Sequence, residues 1–277
     1  MIAVLLALVT AVTYGVANYL GPLLARRVPL ATVLLVGQLA AIVGAGILAG
    51  GAGGLGLSRR GVVVSLAAGA ANGAGLALFY KAGQVGDLSV VAPIGSTGAV
   101  VPVVVSLLAG QRPGAIALLG IPVALAGIVL AARRSPGDRD GGAPAVAWAC
   151  AAALAFGSFL TIYASAAHYG AAGAVFWSRV SLLGSTALAV AVLRAPLRAP
   201  LRAALPALLP GLLLVTGTFA FGEASRRGLL AVVSVIATLN PVVTVGLALL
   251  LLRERLRRAQ QAGVVVALAG VVMLAAG

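Results

Sequence analysis

Apolar residues fall in ten long runs with short polar breaks between them: 2–25, 28–50, 61–80, 88–110, 113–132, 144–166, 171–193, 203–222, 229–252 and 259–277. Each run is close to the roughly 20 residues that a helix needs to cross the hydrocarbon of a bilayer. The runs are continuous, whereas a membrane β-barrel strand alternates apolar and polar positions. They are rich in Ala, Gly, Leu and Val. The 37 glycines would weaken helices in water but let helices approach closely in a membrane. The pattern predicts an all-α membrane protein with ten transmembrane helices. The longest polar break, RRSPGDRDGGAP at 133–144, reads as a solvated linker. The first run lacks a basic leading segment and outlasts a signal-peptide core, so it reads as a retained helix.

The two sides of the linker resemble each other. VVAPIGSTG at 90–98 matches VVSVIATLN at 232–240, and VALAGIVLAA at 123–132 matches VALAGVVMLAA from Val266. Gly15 matches Gly157, Phe79 matches Phe221, and Gln38 matches Arg179, all in one order and nearly one register. The chain therefore divides into five-helix units at 1–132 and 144–277, joined by 133–143. Five is odd, so the second unit enters the membrane from the opposite side. Such inverted repeats are typical of secondary transporters, in which two halves alternate access to a midplane site.

Composition sharpens this reading. The chain is 62% hydrophobic and 9% charged, with a mean hydropathy of +1.15; a soluble domain carries about 25% charged residues. The net charge of +14 would suggest nucleic acid in a soluble protein. Here the arginines sit in pairs at run ends, at 26–27, 59–60, 133–134 and 226–227, as membrane flanks do. No nucleic-acid partner is expected; the lipid bilayer and a small-molecule substrate are. The odd-numbered connections carry 13 Lys and Arg and the even-numbered ones 5, which by the positive-inside rule puts the termini outside. The single Cys150 allows no intrachain disulfide and reads as a small buried hydrophobe.

The polar residues inside the runs are the candidate chemistry. Tyr14 and Asn18 share a face of the first helix, and Asn72 lies in the third. Ser96 and Thr97 follow Pro93 in the fourth, and Thr238 and Asn240 precede Pro241 in the ninth. Interruptions at corresponding positions of two halves point to a transport site. Ser158 in the sixth helix, Thr216 in the eighth and Arg179 in the seventh complete the set of cavity candidates. Lone Ser and Thr are expected to bond back to their own helix. The asparagines either line a cavity or bond between helices. Arg179 either snorkels to the near surface or anchors an anionic group. Tyr19, Tyr80 and Tyr163, near span ends, read as interface anchors, and Trp177 as part of the interfacial belt. Few charges face the midplane, so a neutral, zwitterionic or amphipathic substrate is expected rather than a polyanion.

Gly120 and Gly127 are seven apart, as are Gly263 and Gly270, which puts each pair on one helix face. They read as structural packing strips between helices. All five acids lie at helix ends or in the linker, which favours facilitated diffusion over a midplane proton relay. One His, one Cys and no HExxH pattern argue against an enzyme. No cofactor or metal is expected.

The ordered set resembles the EamA-like members of the drug/metabolite transporter superfamily. YKAGQVGDLSVVAPIGSTGAVVPVVVSLLAGQRP (80–113) and LLAVVSVIATLNPVVTVGLALLLLRERL (229–256) carry the resemblance. Members usually end the fourth and ninth helices with a Gly-Glu-Arg-like sequence. This chain has Arg253-Glu254-Arg255 but Gly110-Gln111-Arg112, so the first half lacks the acid. The glycine spacing is similar to that on the terminal helix of small multidrug resistance transporters. The resemblance implies efflux or facilitated transport of a small metabolite or drug by a monomer in the inner membrane. It implies a cavity walled by helices one, three, four, six, eight and nine. It also implies termini inside, against the charge count. A flippase for lipid-linked substrates and a structural membrane protein are the alternatives.

Overall fold

A computed structural model describes residues 1–25, 27–51, 54–85, 94–95, 97–131, 142–192, 194–197, 200–252, 262–263, 265–267, 269–270 and 272–273. Among the described residues the regular structure is helical throughout, with no strand. The helices are α1 Ile2–Ala25, α2 Leu30–Gly51, α3 Arg59–Val85, α4 Val100–Leu108, α5 Ala115–Ala131, α6 Gly142–Ala167, α7 Ala171–Val192, α8 Leu208–Arg227, α9 Leu230–Ala237 and α10 Asn240–Leu252. A 3₁₀ turn, Thr97–Ala99, leads into α4, and short turns at 201–207 lead into α8.

Six helices are long and apolar enough to cross a membrane: α1, α2, α3, α6, α7 and, with its leading turns, α8. Three apolar helices are shorter, at Thr97–Leu108, Ala115–Gly127 and Leu230–Thr244. The ninth expected run is not one uninterrupted helix. It breaks at Thr238 and Leu239, where Thr238 N–H keeps its helical bond to the Ser234 carbonyl but Leu239 N–H tightens onto the Ile236 carbonyl. The eighth helix runs on to Arg227, past the expected end at 222. The linker arginines, Pro93 and Arg253–Arg255 lie outside the described residues.

Large and small residues are sorted inside out. Leu5, Val9 and Val12 of α1 and Leu39, Val43 and Ile47 of α2 are exposed. The interior is built largely from alanine, among them Ala7, Ala11, Ala41, Ala45, Ala164 and Ala224. In water that outer face would be an aggregation hazard; against lipid it costs nothing, while small interior residues bring backbones together. Cys150, expected to be buried, is exposed on this outer face.

Close approach shows in what a Cβ would strike at particular glycines. α3 packs on α6 and α7, and α8 packs on α1 and α2. At Gly75 a Cβ would come 2.6 Å from the Phe156 ring; at Gly217, 2.7 Å from the Tyr14 ring. At Gly157 it would meet the Val101 side chain at 2.6 Å, and at Gly15 that of Val243 at 2.7 Å. Gly69 lies against Ser178 and Ser181, and Gly211 against Gly37. The largest buried side chains, Tyr163, Phe221, Ile236 and Val175, gather where α6, α7, α8 and α9 meet.

Candidate functional site

Arg179 sits on α7, and its residue is 3% exposed. It does not snorkel to a surface. One terminal guanidinium nitrogen donates to the Leu214 carbonyl at 2.8 Å and to the Thr218 hydroxyl. The same hydroxyl lies 2.7 Å from the Tyr14 hydroxyl and bonds back to the Leu214 carbonyl at 2.7 Å. Three helices, α1, α7 and α8, therefore meet at one polar knot in an apolar bundle. Packing sets it up: the absent side chain at Gly217 lets the Tyr14 ring lie flat on α8, which carries its hydroxyl to Thr218.

Among the described residues, buried polar atoms without a hydrogen-bond partner include Arg179 Nε, the Tyr163 hydroxyl on α6 and Ser234 Oγ on α9. Tyr163 stacks with Phe221 (centroids 6.3 Å apart) and tilts against Phe159 (5.7 Å). Its hydroxyl lies against Gly222, one turn along α8 from Thr218, a rise of about 6 Å. Tyr163 is thus no interface anchor; it is fully buried. A cavity of 260 Å³ opens at this end of the α7–α8 seam, lined by Gly173, Phe219, Glu223 and Arg226 among others. Glu223 is held by Arg226 at 2.8 Å and by Arg227.

A second polar crossing joins α1 to the broken ninth segment. Asn18 Nδ2 donates to Asn240 Oδ1 at 3.1 Å, and the Thr244 hydroxyl donates to the Gly15 carbonyl at 2.9 Å. Asn240 stands at the first position of α10, immediately after the break. Thr10 ties α1 to α8 through the Gly217 carbonyl at 3.0 Å.

The expected site residues separate into groups. Tyr14 and Arg179 come together; Asn18 and Asn240 come together. Thr97, Thr238 and Thr216 bond back to carbonyls three or four residues earlier on their own segments, and Thr216 is exposed. Ser158 and Asn72 are half-buried on α6 and α3. Ser96 lies outside the described residues. Gly127 packs against the backbone of Ala267, and Gly270 against that of Ala124; Gly120 and Gly263 are buried. Thr218 belongs at the centre, two residues from Thr216 and therefore on nearly the opposite face of α8. The signal for it was in the chain: Gly211, Gly217 and Gly222 mark the packed face of α8, and Thr218 lies within that strip.

Gln111 proves to be built in. Gly110, with φ +81°, closes α4, and Gln111 N–H bonds back to the Ser106 carbonyl at 3.1 Å. The Gln111 side-chain oxygen then accepts from the Ser106 hydroxyl and from the Leu230 N–H at 3.1 Å. It caps the start of α9, satisfying a backbone donor that has no partner within the helix. Trp177 Nε1 donates to the Leu55 carbonyl at 3.2 Å, in the connection between α2 and α3.

Comparison with known proteins adds two findings. Residues 143–276 match the model of the EamA-like transporter family. Among solved structures, one crystal structure of a protein superposes with a TM-score of 0.81 at 18% identity, covering 98% of this chain and 94% of that one. That likeness shows a shared fold. No curated protein matches the chain.

Proposed function

Since residues 143–276 match the EamA-like transporter family, we propose that the chain moves a small organic molecule across the inner membrane. Transport proceeds by alternating access between two inverted five-helix units, 1–132 and 144–277. The observation that carries this reading is the pairing of contacts under a shift of about 142 residues. Phe156 on Gly75 becomes Tyr14 on Gly217; Val101 on Gly157 becomes Val243 on Gly15. Gly127 on Ala267 becomes Ala124 on Gly270, the same contact reached from the other side. Each unit lays its helices on the other, so rocking one unit against the other exchanges one set of contacts for its equivalent.

The mobile walls are the interrupted segments, Thr97–Leu108 and the one broken at Thr238–Leu239, which face α6 and α1. Asn18 and Asn240 bridge the second of these seams, where an amide can leave its partner for a substrate. Gly127 on Ala267 and Gly270 on Ala124 hold α5 to that part of the chain as a fixed clasp. The only described carboxylate, Glu223, is tied to two arginines, in keeping with facilitated diffusion rather than a midplane proton relay. The test is counterflow in proteoliposomes with labelled amino acids, nucleosides and aromatic acids. Uptake above empty liposomes, reduced at least about tenfold in Asn18→Ala and Asn240→Ala, is expected. Absence of uptake for every solute, or uptake indifferent to both substitutions, contradicts the reading.

A further inference from the structure

We propose that Arg179 is the anchor of a carboxylate, and that the transported molecule is an organic monoanion with an apolar, ring-sized body. This rests on the transport reading above and names its substrate class. The guanidinium is buried in an apolar bundle, where a cation without a counter-ion is expensive. Glu223, the one carboxylate among the described residues, is already engaged by Arg226 and Arg227. Among the described residues Arg179 meets neutral oxygens, the Leu214 carbonyl and the Thr218 and Tyr14 hydroxyls. Its Nε has no partner, although a guanidinium carries five N–H donors in a planar fork that fits a carboxylate edge to edge.

The surroundings set the rest of the ligand. The Tyr163 hydroxyl, also without a partner, lies about one helical turn along α8 and can donate to the same anionic group or to a second oxygen. The Phe159–Tyr163–Phe221 rings supply an apolar wall. A cavity opens at the α7–α8 seam beside Gly173, six residues or about 9 Å along α7 from Arg179. Its rim carries Glu223 and Arg226, and Glu223 is paired with Arg226 and Arg227, so no free carboxylate stands there to repel an anion. One cation matches one negative charge; a phosphate monoester, mostly dianionic at neutral pH, would leave the second charge unpaired in the bundle. A neutral molecule would leave Arg179 as it is, gaining nothing from the fork.

The test is thermal unfolding of the purified full-length protein with phenylacetate, 3-phenylpropionate and the two corresponding amides, with phenyl phosphate as the dianion. Ligands that bind the folded state raise Tm in proportion to concentration over Kd. The carboxylates are expected to act at concentrations at least about tenfold below the amides and the phosphate. Arg179→Lys keeps the charge and loses the fork, and is expected to weaken the carboxylates about tenfold; Arg179→Gln is expected to abolish their effect. Amides as effective as carboxylates in the wild-type protein would overturn the proposal, and so would a carboxylate response unchanged in Arg179→Gln. Failure to respond to either carboxylate at about 10 mM would overturn it as well. Counterflow separates this from the transport reading. Uptake of neutral solutes without preference for carboxylates refutes the anchor and leaves transport standing. No uptake of any solute refutes transport itself.

Discussion

The seam between α1 and α8 and the seam between α3 and α6 are built alike and chemically different. In each, an aromatic ring lies on a glycine: Tyr14 on Gly217, Phe156 on Gly75. In the first, the ring carries a hydroxyl that meets Thr218 and, through it, Arg179. In the second, the positions that correspond to Tyr14, Thr218 and Arg179 hold Phe156, Leu76 and Gln38. Gln38 is itself buried, with its side-chain oxygen unpartnered. Backbone packing depends on small residues alone, so both seams retain it. Polar bonding depends on a few atoms, and those of Tyr14, Thr218 and Arg179 are gathered at the first seam. Like glycine packing thus goes with unlike polar contacts.

The comparison can be broken most severely at the shared packing. Gly75→Val and Gly217→Val each force a branched side chain into the ring that lies on that glycine, and the helix cannot shift without losing its other contacts. Each is expected to cost more than about 3 kcal/mol, read as loss of monodisperse protein on fluorescence-detected gel filtration. Equal damage in the two halves supports the likeness of the seams; a tolerated substitution in either breaks it.

Removing the charge tests the difference instead. Arg179→Met replaces a buried cation by an apolar side chain of similar length. It is expected to raise stability by about 1–4 kcal/mol, seen as a higher Tm, while carboxylate binding disappears. Gln38→Met, at the corresponding position, is expected to gain no more than about 1–2 kcal/mol.

Exchanging the rings is subtler. Phe156→Tyr introduces a hydroxyl where the sequence offers Leu76, and is expected to cost about 1–3 kcal/mol; Tyr14→Phe removes one hydrogen bond and costs about 1 kcal/mol. The smallest effect is expected at the α9 start. Gln111→Leu leaves the Leu230 N–H uncapped, at about 1 kcal/mol, whereas Gln111→Glu keeps the acceptor and changes Tm little.

The all-helical class and the apolar spans were legible because they follow from run length, and the break before Pro241 because proline has fixed backbone habits. The positions of Tyr14, Asn18 and Asn240 were legible because an amide or phenol within an apolar run has to find a partner. Which threonine of the eighth helix mattered was not, since 216 and 218 differ only in the face they present, and face is decided by packing on α1 and α7. Tyr163 resembled an interface residue by its place near a run end; α8 covers it because Gly222 leaves room for its ring. Arg179, well inside its run, could snorkel or anchor an anion by sequence alone, and it is α8 that supplies the Leu214 carbonyl and Thr218 within the bundle. The role of Gln111 depends on α9 starting beside it, a contact across 119 residues that no local pattern encodes.

Alternating access itself is tested most directly by reaching one position from both faces of the membrane. Asn240→Cys in a Cys150→Ala background places a single thiol at the helix break. Right-side-out and inside-out vesicles are treated with a membrane-impermeant maleimide. The account predicts labelling from both faces, because the seam between α1 and α10 opens to each in turn. Labelling from one face only, in both kinds of vesicle preparation and at any exposure time, would contradict it.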